Sequence, residues 1–426
     1  MAFIKKPVTG MRDILPDEMD IRNYLMGVIR DTYKNYGFSS IETPVVEHIE
    51  NLTGKQGGEN EKLIFKIMKR GEKLSGEEEA LRSGDFDALS DSGLRYDLTL
   101  PLARYYSNNS SKLPQPFKAL QMGPVFRADR PQRGRFRQFM QCDIDILGDD
   151  TNLAEKELIL ATTEALSKLG FDRHNYRIII NDRRILFGML EYAGFPKEDA
   201  QKILIILDKA DKIGDEGVDA ELSESGYSEE SISKLRELLS SAGKDSESAG
   251  LMAEKIGIAE VTDACNNVRD IMDSIAAVRS RNIKLEFTPT LVRGMGYYTG
   301  TIFEIQVDSF GSSVGGGGRY DKMIGKFTGK DVPAVGFSIG FERIMTLLME
   351  EGFKIPEKGK KTAYLVEKGM PSERLGEIFN EAIERRNDGE QILVTWMNKN
   401  KKFQKEKLQA EGYEGFKDFY KEALKN

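Results

Sequence analysis

The residues of this chain most able to do chemistry together lie in one stretch, FRADRPQRGRFRQFMQCDIDILG, residues 126–148. Pro131-Gln132-Arg133-Gly134 reads as a turn between two strands. Successive side chains of a strand point to opposite faces. On the strand after the turn the odd positions are Arg135, Arg137, Phe139, Gln141, Asp143 and Asp145. The even positions are Phe136, Gln138, Met140, Cys142, Ile144 and Ile146, a core face apart from Gln138. The odd face cannot be core, because burying arginines and aspartates unpaired costs several kcal/mol each. It is either a solvent face laced with ion pairs or a ligand face. The graded order favours the ligand: arginines suit a polyphosphate, an aromatic suits a base, and Gln and Asp suit a small ligand bearing an ammonium or N–H donor.

Other segments supply matching parts. RYDLTLP (95–101) reads as a strand with Asp97 and Thr99 on one side. LVRGMGYYTGTIFEI (291–305) places Arg293 before glycines that allow close backbone approach, and then Tyr298. SVGGGGRYD (313–321) sets four glycines before Arg319, without the GK[ST] ending of a Walker loop and without the GxGxxG spacing. AVGFSIGFERI (334–344) leads into a helix whose first turn carries Arg343.

The elements that must position these residues indicate an α+β fold. A helix opens at Pro16-Asp17-Glu18 with an apolar stripe from Ile21 to Tyr36 and stops at Gly37; a strand over Ser39–Val46 holds Pro44. Residues 70–94 are polar and read as an exposed excursion. Strand and helix signals alternate from Leu94 to the strand Tyr176–Asn181. From about Arg183 to Asp273 the pattern is helical and rich in Asp, Glu, Lys and Ser, an inserted helical domain. Strand signals resume at Ile283–Val292, Tyr297–Val307 and Ser312–Asp321, and end in a strand-helix unit over Ala334–Met349. The expected division is therefore 1–182 with 274–350, interrupted by 183–273. A linker over 351–361 and a small β-α-β-α tail over 362–426 follow.

Composition narrows the function. Of 426 residues 39% are hydrophobic and 31% charged, ordinary for a globular protein. No apolar run approaches the ~20 residues that span a bilayer, so no membrane partner is expected. The N-terminal stretch has no apolar signal region. Two cysteines, Cys142 and Cys265, and two histidines, His48 and His174, rule against a disulfide framework or a Cys/His zinc site. A reducing, cytoplasmic setting fits. The net charge of -7 argues against indiscriminate nucleic-acid binding, although local basic clusters stand at Arg127–Arg137 and in NKNKKFQKEK near the C-terminus.

FRADRP…GRFRQF, LVRGMGYYTG, GGGGRYD and VGFSIGFERI resemble the histidyl-tRNA synthetases of class II, as do GMRDILP and IETPVVE near the N-terminus. The resemblance covers roughly residues 8–350 outside the insertion. It implies a six-stranded antiparallel sheet flanked by helices, a helical insertion, and a ligase that activates L-histidine with ATP and Mg2+ and charges tRNA-His. It implies that Arg127 grips the α-phosphate and Arg343 the γ-phosphate, with adenine between Arg343 and Phe139. Asp129, Arg135 and Arg137 then belong to the ATP and acceptor-end region, and Gln132 and Arg133 to the turn that reads the acceptor. Asp97, Thr99 and Gln141 hold the ammonium and carboxylate ends of histidine. Asp145 and Tyr298 receive the imidazole, Arg293 lies over the reacting carboxylate and α-phosphate, and Arg319 lies near the amino acid. The first helix and the strand holding Pro44 resemble the family's dimerisation segment, so a homodimer is implied.

Two departures stand out. Gly296 occupies a place where the family usually has an Asp, and only about 65 residues follow the linker where the family has an anticodon-binding domain of around a hundred. The competing resemblance is to the regulatory paralogue that partners a short ATP phosphoribosyltransferase and senses histidine. Retention of Arg127, Arg293, Arg319 and Arg343 favours the synthetase, since a sensor needs no γ-phosphate grip. An Arg293→Ala variant should keep histidine binding and lose adenylate formation; normal histidine-dependent exchange of pyrophosphate into ATP in that variant would refute the role given to Arg293.

Overall fold

Pro16 begins the first helix, α1 (Pro16–Asn35), where its missing N–H costs nothing, and Gly37 at φ 82° ends the turn that follows. Leu25, Ile29, Thr32 and Tyr33 form its buried stripe. These features belong to a computed structural model that describes residues 3–53, 58–85, 87–280, 283–292, 296–311, 313–356 and 359–421. Contacts divide the chain into residues 1–353 and 354–426.

The single strand expected over Ser39–Val46 is two: β1 (Ser39–Ile41) and β2 (Val46–His48), which join different sheets. Pro44 lies between them and cannot donate to a ladder. Next come α2 (Ile49–Thr53), β3 (Lys66–Met68), α3 (Glu72–Ser75), α4 (Glu78–Ser83) and β4 (Ser90–Leu94). The 70–94 excursion is thus partly ordered, and β4 is the middle strand of a sheet ordered β2-β4-β3. Its sequence, SDSGL, has no apolar alternation, so backbone pairing alone marks it as a strand. The strand expected over 95–101 becomes the start of α5 (Thr99–Asn109), where Asp97 Oδ1 accepts from the Leu100 N–H at 3.1 Å.

The turn at Pro131–Gly134 joins β5 (Phe117–Phe126) to β6 (Gln138–Leu147). Then follow α6 (Leu153–Lys168) and β7 (Tyr176–Asp182). Six helices succeed them: α7 (Arg183–Ala193), α8 (Ala200–Leu207), α9 (Ala210–Glu224), α10 (Glu229–Ser240), α11 (Ser246–Ile256) and α12 (Ala259–Ala276). Chain order continues with β8 (Leu285–Phe287), β9 (Thr301–Val307), β10 (Ser313–Arg319), α13 (Asp321–Thr328), β11 (Ala334–Gly340) and α14 (Phe341–Glu350). The strand expected over Ile283–Val292 shrinks to three residues.

The main sheet has eight strands in the order β1-β5-β6-β11-β10-β9-β7-β8. Its six inner strands are antiparallel, as expected, and the short outer strands β1 and β8 pair parallel to β5 and β7. Cys142, Ile144 and Ile146 on the even face of β6 share one core with Leu25 and Ile29 of α1 and Leu158 of α6. Burying each such aliphatic side chain contributes about 1.5–3 kcal/mol. Val268 and Ile271 of α12 belong to the same core.

Residues 354–426 hold β12 (Lys361–Val366), α15 (Ser372–Asn387), β13 (Gln391–Trp396), α16 (Lys401–Ala410) and β14 (Gly415–Phe419). The last strand goes beyond the expected β-α-β-α tail, and the sheet is parallel in the order β13-β12-β14. Part of the lysine-rich run is used internally, since Lys401 and Lys405 meet Asp418 of β14 at 2.8 and 3.0 Å.

One buried ion pair ties the first helix to the last helix of the larger unit. Arg22 donates to both oxygens of Glu342 at 2.6 and 2.7 Å, and Glu342 also accepts from the Met140 N–H at 3.2 Å. Removing Arg22 leaves the buried Glu342 carboxylate with only the Met140 N–H and the more distant Arg12, 3.8 Å away. Arg22→Ala should therefore cost about 3–5 kcal/mol of unfolding free energy, measured by denaturant titration. A loss below 1 kcal/mol would show that Arg12 or water takes the place of the Arg22 guanidinium there.

Candidate functional site

The odd positions of β6 form one wall of a cavity of ≈ 460 Å³ that contains Phe139, Gln141, Asp143 and Asp145. Asp143 and Asp145 are 4% and 3% exposed, so this is not a solvent face. Room for a ligand comes from β10 and β11. An added Cβ at Gly336 would lie 1.9 Å from Asp145 Oδ1, and one at Gly317 would lie 1.9 Å from the Gly336 carbonyl oxygen. The four glycines, which could have been a flexible turn, are thus the middle of a central strand and give the cavity a backbone floor.

One end of the cavity is acidic. Asp97 enters from the start of α5, and Asp143 and Asp145 from β6. The Tyr320 hydroxyl donates to Asp145 Oδ1 at 2.6 Å, and the Tyr297 hydroxyl to Asp97 Oδ2 at 3.3 Å. Burial raises all three carboxyls. For Asp143 the charge of Asp145 adds to burial and holds it well above the usual range. Asp145 is pushed up to about 7 by burial, eased by the Tyr320 hydrogen bond and reinforced by Asp97. Gln141 Oε1 is buried here with no hydrogen-bond partner, although its Nε2 donates to Ser338 Oγ at 3.0 Å. Tyr298 lines the same space, its ring edge-on to Tyr297 at 5.0 Å between centroids. Thr99 lies at the first position of α5 and also lines the cavity.

The other end is basic and aromatic. Arg127 follows β5, donates from Nε to the Tyr96 carbonyl at 3.0 Å, and lies 4.2 Å over the Tyr96 ring and 5.3 Å from the Phe139 ring centroid. Arg135 and Asp129 approach to 3.7 Å at the rim. Arg343, in the first turn of α14, donates to the Ser313 carbonyl. This end suits a flat ring and phosphate oxygens, and the acidic end suits a cation with N–H donors.

Not every residue singled out in the sequence faces this cavity. Arg137 does not line it; its guanidinium donates to the carbonyls of Asp129 at 3.1 Å and Thr9 at 3.4 Å. Gln132 and Arg133 stand at the turn, where Arg133 pairs with Glu350, both half-exposed. Arg319, expected near the amino acid, faces a different space. Its guanidinium forms two 2.7 Å bonds to buried Glu155 and further bonds to the carbonyls of Asp149 and Thr151, on a second cavity. Its chain neighbour Tyr320 is the residue that enters the site, and the sequence reading missed it. Strand alternation was the available signal, since adjacent residues cannot both face one side. Arg293 lies outside the described residues.

The family model for histidyl-tRNA synthetase matches residues 10–344. Histidine–tRNA ligase from Leifsonia xyli subsp. xyli (strain CTCB07) is 43% identical over 426 residues, covering 98% of this chain and 95% of that protein. Histidine–tRNA ligase from Bacteroides fragilis (strain YCH46) is 40% identical over 80% of this chain and 75% of its own length. The fold is shared with the crystal structure of histidyl-tRNA synthetase from Nostoc sp. PCC 7120, at TM-score 0.78 and 24% identity over 96% of this chain and 90% of that one. It is also shared with an ATP phosphoribosyltransferase regulatory subunit/histidyl-tRNA synthetase from Bacillus halodurans C, at TM-score 0.79 and 21% identity over 99% and 100% of the two chains.

The acidic end should show itself in stability. A carboxyl whose folded value is raised, here from 3.8 to about 7, contributes stability that is complete below about pH 4 and is lost as pH rises through about 7. The melting temperature of the ligand-free protein should therefore fall relative to that of Asp145→Asn across that window. Parallel pH curves for the two proteins would refute the raised value.

Proposed function

The chain belongs to the histidyl-tRNA synthetase family, and on that premise we propose that its cavity takes L-histidine at the acidic end and ATP at the basic end. It is a histidine–tRNA ligase: histidine and ATP give histidyl-adenylate and pyrophosphate, and the histidyl group then passes to the 3′ end of tRNA-His. The observation that carries the assignment of ends is Gln141 Oε1, a buried acceptor with no partner in a wall shared with Asp97, Asp143 and Asp145. A substrate ammonium supplies the missing donor, and Asp97 with Thr99 completes that contact. The imidazole lies against Tyr298 with one N–H on Asp145, whose orientation Tyr320 holds. A rival amino acid without that N–H leaves a buried carboxyl unmatched, which is worth about 10⁴-fold in discrimination.

At the other end, adenine stacks between Phe139 and Arg343, and Arg127 meets the α-phosphate. Asp129 and Arg135 frame the entrance, and Arg137 braces the strand behind them through its bonds to Asp129 and Thr9. Attack of a carboxylate on the α-phosphorus brings two anions together. Catalysis therefore consists of in-line placement and neutralisation of charge by the cations Arg127 and Arg293, with no side-chain nucleophile. Among the described residues no group of three or more His, Cys, Asp or Glu is arranged to hold a metal. Mg2+ carried by the triphosphate needs only one or two protein carboxylates, and Glu304, facing the cavity from β9, would meet it. Bound there, Mg2+ would neutralise phosphate charge.

Gln132 and Arg133 at the exposed turn would meet the tRNA acceptor, whose phosphates displace Glu350 from Arg133. Residues 362–426 serve as a shortened anticodon-binding-like domain, the linker 351–361 joining it to the catalytic part, into which 183–273 is inserted. The enzyme works as a homodimer through its N-terminal helix and the segment after it, where Leu15, Met19 and Val46 are exposed apolar residues. Cytoplasmic localisation is supported by two free, buried cysteines, and among the described residues no helix is long and apolar enough to cross a membrane. The test is histidine-dependent exchange of pyrophosphate into ATP, followed by charging of tRNA-His. Exchange with histidine alone among the amino acids is the expected result, and its absence would sink the assignment.

A further inference from the structure

Asp143 is the one carboxyl of the acidic end that the reaction above leaves without a task. It faces Ser338 across the β6–β11 register. The Ser338 hydroxyl hydrogen-bonds the Asp143 carboxyl, and Gln141 Nε2 lies 3.0 Å from Ser338 Oγ and 3.3 and 3.5 Å from the two oxygens of Asp143. All of this is out of water: Gln141 is 8% and Asp143 4% exposed.

A primary amide is nearly symmetric in shape but opposite in function at its two ends, oxygen accepting and nitrogen donating. Ser338 cannot choose between the ends, because a hydroxyl both donates and accepts. A substrate ammonium beside the acidic end favours the ionised form of Asp143, and a carboxylate only accepts, so it holds the NH2 group of Gln141 on its own side. We propose that Asp143 is a positioning residue for histidine: through the Gln141 amide, and with Ser338, it turns Gln141 Oε1 toward the substrate ammonium. The inference rests on the assignment of Gln141 to that ammonium. Were the amide reversed, an NH2 group would confront the ammonium, donor against donor, and the carboxyl would face an oxygen.

Asp143→Asn gives position 143 a donor and removes the choice. The KM for histidine should rise about 10- to 100-fold, while the KM for ATP stays within about twofold. The decisive probe is 3-(imidazol-4-yl)propanoate, which is histidine without its amino group. Its inhibition constant should change by no more than about twofold in the variant, because it has no ammonium to misplace. Equal weakening of histidine and this analogue would overturn the proposal, since a general loss of structure affects both. The double variant Gln141→Glu, Asp143→Asn offers an acceptor to the substrate whichever way the side chain turns, so the KM for histidine should return to within about fivefold of the starting protein. Failure of that rescue would also overturn it. Gln141→Leu separates the two levels of argument. An unchanged KM for histidine there refutes the Gln141 contact itself, whereas a raised KM beside a normal Asp143→Asn enzyme refutes only the positioning by Asp143.

Discussion

Three carboxyl groups held out of water in one small space are the constraint around which this protein is arranged. Asp97, Asp143 and Asp145 repel one another when ionised, and burial penalises each charge. The surroundings answer with donors. The Leu100 N–H and the Tyr297 hydroxyl serve Asp97, Tyr320 serves Asp145, and Ser338 serves Asp143. Those donors do not offset burial and repulsion, so the ligand-free site keeps protons on its carboxyls above the usual pH range. A cavity end of this kind suits a ligand that brings N–H donors of its own.

The basic end is built on the same sheet by different means. Among the described residues Arg127 is held by a carbonyl and by two aromatic rings, with no carboxylate at salt-bridge distance, so a cation faces this end of the cavity. Arg343 projects from the first turn of α14, a turn fixed by the neighbouring Glu342 through its bidentate pair with Arg22. The two ends are therefore supported differently, one by hydrogen bonds within the cavity and the other by a buried ion pair behind it.

The core of this arrangement was legible because β6 obeys a strict two-residue period with apolar and ionisable residues on opposite faces. Where period was absent, reading failed. SDSGL gives no alternation, and only its backbone pairing on both sides makes β4. β14 is five residues with one fully buried side chain. Asp97 and Thr99 alternate as they would in a strand, yet an Asp placed before an apolar run also starts helices, and that local chemistry prevailed. Arg319 illustrates a different difficulty. The resemblance implied a place near the amino acid, but Glu155, more than 160 residues earlier in the chain, takes its guanidinium. No local pattern reveals a partner at that separation.

The glycine strand β10 has a consequence for how such a site can vary. The floor is backbone, with Gly317 and Gly336 so close that a single methyl group would collide with main chain or with Asp145. A surface without side chains offers natural variation nothing to adjust in small steps. Preference for a different ligand would have to be written in the walls, in side chains such as Gln141, Tyr298 and Tyr320, while the floor stays as it is. The most permissive residue by conformation thus becomes the least replaceable by space.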